Sequence, residues 1–208
     1  MNTVRFTLVA EGSSDRVLIP ILRWMLGSHH SDFEWIGQPA NLHELPKPPR
    51  GLQEKIATAA ELFPADVIFV HRDADRESPS KRRVEISEAL SALPSSPARY
   101  CVPVIPVRMT EAWLLISESA LRAASGNPRG RKPLNLPSLS QLESVSDPKQ
   151  LLQDLLLEAS ELAGRRRKKF SFPERRARIP EFLEDLEVLL NLPSAKELFD
   201  EIAALDFS

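Results

Sequence analysis

Acidic residues follow two apolar runs in this chain of 208 residues. Glu11 comes after an apolar run in LVAEGSSD, and Asp73 and Asp75 come after another in VIFVHRDAD. Aspartates two positions apart at the end of a strand project to the same side, so their charges repel unless a cation lies between them. Mg²⁺ and Mn²⁺ prefer such oxygen ligands and keep positions free for phosphate oxygens. The pattern therefore indicates phosphoryl-transfer chemistry at a Mg²⁺ or Mn²⁺ site.

These acids need strands that end at a common edge of a sheet. Polar and apolar residues alternate at the start of residues 3–10, and the segment then becomes apolar. Residues 66–71 form the short continuous apolar run that is typical of a strand covered on both faces. Further strands are predicted over residues 33–36 and 100–107. Ligand sites of open parallel sheets lie beyond the carboxyl ends of the strands. We therefore expect the acids to meet there, together with Glu111, which follows the last predicted strand.

Helical patterns alternate with these strands, which predicts an α/β domain with a mainly parallel sheet flanked by helices over residues 1–125. A proline-rich linker follows at residues 127–137. The remainder, residues 126–208, is predicted to be a C-terminal helical appendage packed on that domain. Its helices are predicted over residues 148–163, 180–190 and 194–205.

Composition excludes several functional classes. The chain is 42% hydrophobic and 27% charged with a net charge of -2, which argues against disorder and against a protein that coats nucleic acid by general basicity. A single cysteine, Cys101, rules out an intramolecular disulfide, and no glycine-rich nucleotide-binding loop or HExxH motif occurs. No apolar run approaches the roughly 20 residues that cross a bilayer, so we expect a cytoplasmic protein without a membrane partner.

The order of these motifs resembles the Toprim domain. In Toprim domains a glutamate after the first strand and a DxD motif after a later strand form a metal site, as LVAEGSSD and HRDAD would here. Within that superfamily EGSSD is most similar to the first motif of OLD-type nucleases. The segment PVRMTEAWLL resembles related, uncharacterised bacterial Toprim-like proteins associated with phage defence. The resemblance covers residues 3–120.

The resemblance implies a role for each acid. Glu11 would be a metal ligand or the general acid/base, Asp73 and Asp75 would be catalytic metal ligands, and Asp15 would be a ligand of a second metal. Glu111 is added to this set because of its position after the last strand. The cofactor would be Mg²⁺ or Mn²⁺.

Each acid also has a purely structural interpretation. Carboxylates in the first turn of a helix interact favourably with its N-terminus, which would account for Glu11, Asp15 and Glu111. The two aspartates of HRDAD can instead pair with neighbouring arginines or cap the next helix. The arginines within reach are Arg72, Arg76 and Arg82.

A basic segment near the C-terminus suggests a surface for nucleic acid. The segment consists of five consecutive cations, Arg165, Arg166, Arg167, Lys168 and Lys169, and three more follow within the same 14 positions, Arg175, Arg176 and Arg178, with Phe170 and Phe172 in between. Such a segment can neutralise phosphates, and the aromatic rings can stack on unpaired bases. Arg72 and Arg108 are further candidate contacts to nucleic acid. Alternatively, the segment pairs with the acidic residues of the C-terminal tail or with a partner chain.

These patterns lead to two main functional hypotheses. The first is a divalent-metal-dependent nuclease that hydrolyses phosphodiester bonds of DNA or RNA, with phage defence as the role that the resemblance implies. The alternative is a non-catalytic Toprim-like subunit that binds nucleic acid or has a regulatory role with a separately encoded ATPase, since the chain lacks a nucleotide-binding loop of its own. A phosphatase ranks lower, because phosphatases with an aspartate nucleophile carry DxD after the first strand.

Overall fold

Four strands form an all-parallel sheet in the computed structural model, which describes residues 2–207. The predicted α/β class, a parallel sheet flanked by helices, is confirmed. The strand order is β2-β1-β3-β4, so the two strands that precede the acids are neighbours. The strands are β1 (Asn2–Val9), β2 (Phe33–Pro39), β3 (Val67–His71) and β4 (Tyr100–Val104).

The centre of the sheet is apolar on both faces, as expected for parallel strands. Every residue of β3 is buried. The ring of Phe69 packs edge to face on the ring of Phe6 on β1, with the ring centroids 5.6 Å apart. Phe6 also faces Gly37 on β2, where an added Cβ would lie 2.1 Å from Cζ of the ring. The glycine therefore leaves the space that the Phe6 ring fills in the core.

Three helices connect the strands: α1 (Leu18–His29), α2 (Leu52–Leu62) and α3 (Pro79–Ser91). α1 packs against β2, and α2 packs against β1. Pro20 is tolerated because it lies in the first turn of α1, where its missing N–H has no helical partner. The Ser78 hydroxyl accepts a hydrogen bond from the Lys81 N–H at 3.3 Å and caps the start of α3.

The chain divides into two compact units. The first unit contains the residues up to Pro106 and those from Glu197 onward, and the second unit is Val107–Lys196. The predicted division after residue 125 thus falls inside the second unit. In the first unit the end of the chain is held by Arg83, whose guanidinium group pairs with Glu197 at 2.8 Å and with Glu201 at 2.9 Å.

The second unit is helical. Its core contains Trp113, which is fully buried and donates its indole N–H to Oγ of Ser194 at 2.9 Å. None of the helices among residues 2–207 is long and apolar enough to cross a membrane. The helices that follow β4 are α4 (Thr110–Leu114), α5 (Glu118–Ala124), α6 (Pro148–Ala159), α7 (Gly164–Arg167), α8 (Phe172–Arg178) and α9 (Pro193–Ala203), the last of which continues into the first unit.

The prediction of a helix over residues 180–190 is wrong. Two short 3₁₀ segments, Ile179–Phe182 and Glu187–Asn191, take its place. Between them the Asp185 carboxylate accepts the backbone N–H of Glu187 at 3.0 Å. Such local bonds from an aspartate compete with the hydrogen bonds of a continuous helix, which explains the interruption.

Candidate functional site

Three of the predicted acids come together at the carboxyl edge of the sheet in the first unit. Val9 lies opposite Val70 in the β1–β3 register, so the segments that leave these strands run side by side. Glu11 follows β1, and Asp73 and Asp75 follow β3. Both aspartates are close enough to raise the pKa of Glu11 by charge repulsion. The topology therefore gathers these carboxylates as the strand-end argument predicts.

His71 links Asp73 to one more of the predicted residues, Asp15. It is the last residue of β3 and is buried. Its Nε2 lies 3.1 Å from Oδ1 of Asp73, and its Nδ1 lies 3.6 Å from Oδ2 of Asp15. The same Asp15 oxygen accepts the backbone N–H of Gly12 at 3.2 Å, which fixes the turn after β1. Asp15 therefore belongs to the same cluster.

The charge state of His71 follows from these neighbours. Burial by itself would lower the pKa of His71, because a charged imidazolium is poorly solvated in the interior. The hydrogen bond to Asp73 and the negative charges of Asp73, Asp15 and Glu11 outweigh burial and raise the pKa above its ordinary value of 6.5. The carboxylates thus favour the protonated ring.

Arg72 connects Glu11 to helix α3. Its Nη1 lies 2.7 Å from Oε1 of Glu11, and its Nη2 lies 3.0 Å from Oε1 of Glu85. The guanidinium group therefore bridges an acid at the end of β1 and an acid on the helix that follows β3. Glu85 was not among the predicted site residues.

Arg82 holds the loop that carries the two aspartates. Its Nε donates to the backbone carbonyl of Asp73 at 3.0 Å, and its Nη2 donates to Oδ2 of Asp75 at 3.1 Å. Its third contact is Nη1 to Oε2 of Glu85, at 3.0 Å. Asp75 has a φ of +56°, in the left-handed region that non-glycine residues adopt at a cost. Arg82 therefore stabilises a strained loop conformation.

The Glu11 carboxyl group is shifted toward the neutral form. Partial burial is the largest influence and raises its pKa, whereas Arg72 and His71 lower it. The negative charges of Asp73 and Asp75 add to the rise, and the net pKa is above the ordinary value of 4.5. A carboxyl group whose pKa moves toward neutrality is better matched to general acid or base work.

The carboxylate oxygens of the cluster are the kind of ligand that a hard divalent cation prefers. In the described structure, however, arginine and histidine side chains contact these carboxylates. Across residues 2–207, no three acidic, histidine or cysteine side chains are already arranged to hold a metal ion. Within the first unit, the carboxylates of Glu11, Asp75 and Glu85 contact the two arginines, and those of Asp73 and Asp15 lie beside His71. Even with a protonated His71, these five carboxylates face three cations. Carboxylates therefore outnumber cations by two in this cluster.

Two predicted residues, Glu111 and Arg108, belong to the second unit. The Glu111 carboxylate accepts a hydrogen bond from Nε of Arg176 at 2.9 Å, and both side chains are buried. Arg108 is half-buried. Within its own unit, Glu111 thus forms a buried ion pair of the kind that contributes to structure.

The basic segment, residues 165–169, lies on the surface of the second unit. All five side chains are exposed, and none forms an ion pair with a described residue. Phe170 and Phe172 are half-buried. Of the three cations that follow the segment, Arg178 pairs with Glu181 of the acidic tail and Arg176 pairs with Glu111, whereas Glu197 and Glu201 pair with Arg83. The acidic tail therefore reaches Arg178, while residues 165–169 have no acidic partner among the described residues.

Comparisons with known protein families, with curated proteins and with solved structures found no match to this chain. The resemblance to Toprim domains consequently rests on the order and spacing of the motifs themselves.

Proposed function

We propose that this protein is a Mg²⁺- or Mn²⁺-dependent nuclease. The observation that carries the proposal is the meeting of Glu11, Asp73 and Asp75 beyond neighbouring parallel strands. Ligand sites of open parallel sheets form at this edge. The excess of carboxylates over cations in the cluster favours a bound cation, which supports the same function.

The chain's own residues would divide the work. Glu11, Asp73 and Asp75 would hold the metal, which when bound would polarise a phosphodiester and activate a water molecule. Glu11, with its raised pKa, would take up or release the proton of the attacking or leaving oxygen. Arg72 and Arg82 hold the carboxylates in place and carry the planar donor groups that bind phosphate oxygens in pairs.

The basic segment supports a polyanionic substrate. Its five cations are exposed and have no acidic partner among the described side chains. Lysine and arginine side chains that neutralise phosphates displace the cations condensed on the nucleic acid, and the release of these cations favours binding. An acidic site needs a separate positive surface to retain DNA or RNA. A role in phage defence stays a prediction from the resemblance.

One observation favours the alternative, a non-catalytic nucleic-acid-binding or regulatory subunit that works with a partner ATPase. Every carboxylate of the cluster already interacts with a histidine or arginine of the chain. A network of this kind can have a purely structural role, which is to hold the loops that follow β1 and β3. In that case the protein binds nucleic acid through residues 165–169 and cuts nothing.

The test incubates the full chain with labelled single- and double-stranded DNA and RNA in Mn²⁺, Mg²⁺ or EDTA. Asp75→Asn is compared with Asp32→Asn, which makes the same change at an exposed position of the first unit. We expect cleavage that requires metal, falls by about a thousandfold in Asp75→Asn and is unchanged in Asp32→Asn.

Thermal unfolding of both variants shows whether a loss of activity reflects a loss of fold. Cleavage that persists in EDTA or in a folded Asp75→Asn variant would overturn the nuclease proposal. Binding of DNA or RNA without any cleavage in Mn²⁺ would favour the non-catalytic subunit instead.

A further inference from the structure

A pocket of about 170 Å³ lies beside Glu11 in the first unit. It opens beyond the carboxyl ends of β1 and β2, next to the carboxylate cluster but on the side away from β3. Leu8, Pro39 and Pro49 supply apolar surface, and the loop after β2 covers one wall. The metal-site hypothesis assigns no task to this pocket.

Two cations line the pocket and have no acidic partner among the described residues. Arg16 lies in the 3₁₀ segment that follows β1, and Lys55 is the fourth residue of α2. Neither forms an ion pair, in contrast to Arg72 and Arg82 of the neighbouring cluster. A cation that the protein leaves without a counter-charge in a concave site is suited to an anionic ligand.

Glu11 is the acidic residue of the pocket wall, and its charge is balanced by Arg72 at 2.7 Å. The other charged lining groups are Arg16 and Lys55, so the pocket has an excess of positive charge. His43 adds an imidazole that can donate a hydrogen bond. The two lining cations and this imidazole therefore provide donors for a small anion with two or three accepting oxygens.

The volume limits the size of this anion. Pockets for whole drug-sized ligands measure about 300–1,000 Å³, and this one is smaller. A phosphate group with part of its sugar suits the space, with the phosphate near Arg16 and Lys55 and the sugar against the proline surface. A base would have to extend outside the pocket.

We propose that the pocket binds a terminal phosphate monoester, and that it thereby recognises the phosphorylated end of a nucleic-acid strand next to Glu11. The identity of the ligand as a strand end rests on the proposed function. A free nucleoside monophosphate carries the same chemistry, so the experiment includes both sources.

The experiment measures binding to the full chain in EDTA, where metal-dependent cleavage is absent. The probes are fluorescent single-stranded oligodeoxynucleotides with a 5′-phosphate, a 3′-phosphate or hydroxyl groups at both ends, and unlabelled adenosine 5′-monophosphate and adenosine as competitors. We expect one phosphorylated oligonucleotide to bind about tenfold more tightly than the hydroxyl form, a difference of about 1.4 kcal/mol. Adenosine 5′-monophosphate should compete for the protein better than adenosine does.

Arg16→Gln and Lys55→Gln should each remove most of this preference. Arg23→Gln is the matched control, because it removes an arginine from an exposed position of α1 outside the pocket lining. Circular dichroism and thermal unfolding confirm that the variants fold.

The preference for phosphate should survive in Arg23→Gln. Equal affinity for phosphorylated and hydroxyl-ended probes would overturn the proposal, as would a preference that persists in the folded double variant Arg16→Gln/Lys55→Gln. If adenosine 5′-monophosphate binds more tightly than either phosphorylated oligonucleotide, the pocket takes a free nucleotide and strand-end recognition is overturned. Because binding is measured without metal, failure of the nuclease assay leaves this result unaffected, and the reverse also holds.

Discussion

The carboxylate cluster of the first unit and the basic segment of the second unit differ in whether their charges are paired within the protein. Around Glu11, Asp73 and Asp75, arginine and histidine side chains lie at 2.7–3.1 Å from the acids. Residues 165–169 have no such partner within the part of the chain that the structure describes. One region is a network fixed by the fold, and the other is an exposed run of like charges.

This difference separates two tasks that a charge can have. A charge that the protein neutralises internally fixes backbone and side-chain geometry, as Arg82 does for the loop of Asp73 and Asp75. A charge without an internal partner is available to a ligand of opposite sign. Substitutions in the first class should change stability or site geometry, and substitutions in the second class should change binding alone.

The largest expected effect concerns the buried pair between Glu111 and Arg176. Glu111→Leu leaves a buried guanidinium group without its carboxylate and should destabilise the protein by about 3–5 kcal/mol. The double variant Glu111→Leu/Arg176→Met should recover a large part of this loss, because apolar pairs often replace buried ion pairs at little cost. Urea unfolding of the three proteins measures both effects. A loss below about 1 kcal/mol in the single variant would contradict a structural task for this pair.

Binding by the basic segment should be the next largest effect. We expect the triple variant Arg165→Gln/Arg166→Gln/Lys168→Gln to bind duplex DNA about a hundredfold more weakly, with a plot of log K against log salt that is shallower by about 2.7. The control Arg129→Gln/Arg131→Gln/Lys149→Gln removes the same charges from exposed positions in the same unit. Fluorescence anisotropy at several salt concentrations gives both quantities. Equal losses in the two variants would show that net charge alone, and not this segment, controls binding.

A smaller effect should distinguish a metal site from a purely structural network. Arg82→Gln releases the loop that carries Asp73 and Asp75, so Mn²⁺ should bind about tenfold more weakly because its ligands are no longer held in place. Arg83→Gln, on the same helix but paired with Glu197 and Glu201, should leave the affinity for Mn²⁺ unchanged. Calorimetric titration measures both. No binding of Mn²⁺ to any of the proteins would leave the carboxylates with a structural role alone.

The smallest expected effect is a dependence of stability on pH in EDTA. His71 has a raised pKa in the folded protein, so its contribution to stability is fully present below its ordinary pKa of 6.5 and is lost as pH rises through the higher folded value. Asp73→Asn removes a hydrogen-bonding carboxylate from the ring and should lower that pKa. Proton NMR of the imidazole gives the pKa in both proteins. A wild-type pKa below 6.5 would show that burial dominates over the carboxylates.

Several features of the fold were predictable because they depend on local patterns. The apolar run that became β3 specifies a strand covered on both faces, and the strand ends fixed where Glu11, Asp73 and Asp75 would meet. The pairing of Arg82 with Asp75 was among the structural alternatives expected from the sequence, whereas the part played by Glu85 was not. The spacing of three residues between Arg82 and Glu85 on α3 is a sequence signal for a helical pair, but only the packed structure shows that the pair reaches the loop after β3.

The division of the chain was not predictable in the same way. Nothing in the local pattern of residues 194–205 indicates that α9 begins in one unit and ends in the other. The prediction of a continuous helix over residues 180–190 failed for a different reason. The Asp185 carboxylate accepts the Glu187 N–H, and this local hydrogen bond competes with those of a helix despite the helical pattern of apolar residues. The Arg16 and Lys55 pocket is formed by elements that are distant in sequence, so no linear motif marks it.

The divided first unit has a consequence for synthesis of the protein. β1 pairs with β3, which follows it about sixty residues later in the chain, and the contacts of Arg83 with Glu197 and Glu201 need α9. Chains begin to fold domain by domain as they are made. The continuous segment Val107–Lys196 is therefore complete on the ribosome before the unit that surrounds it in sequence. The residues of the carboxylate cluster, which lie between positions 11 and 85, are thus synthesised before the second unit, whereas the pairing of Arg83 with Glu197 and Glu201 forms only after it.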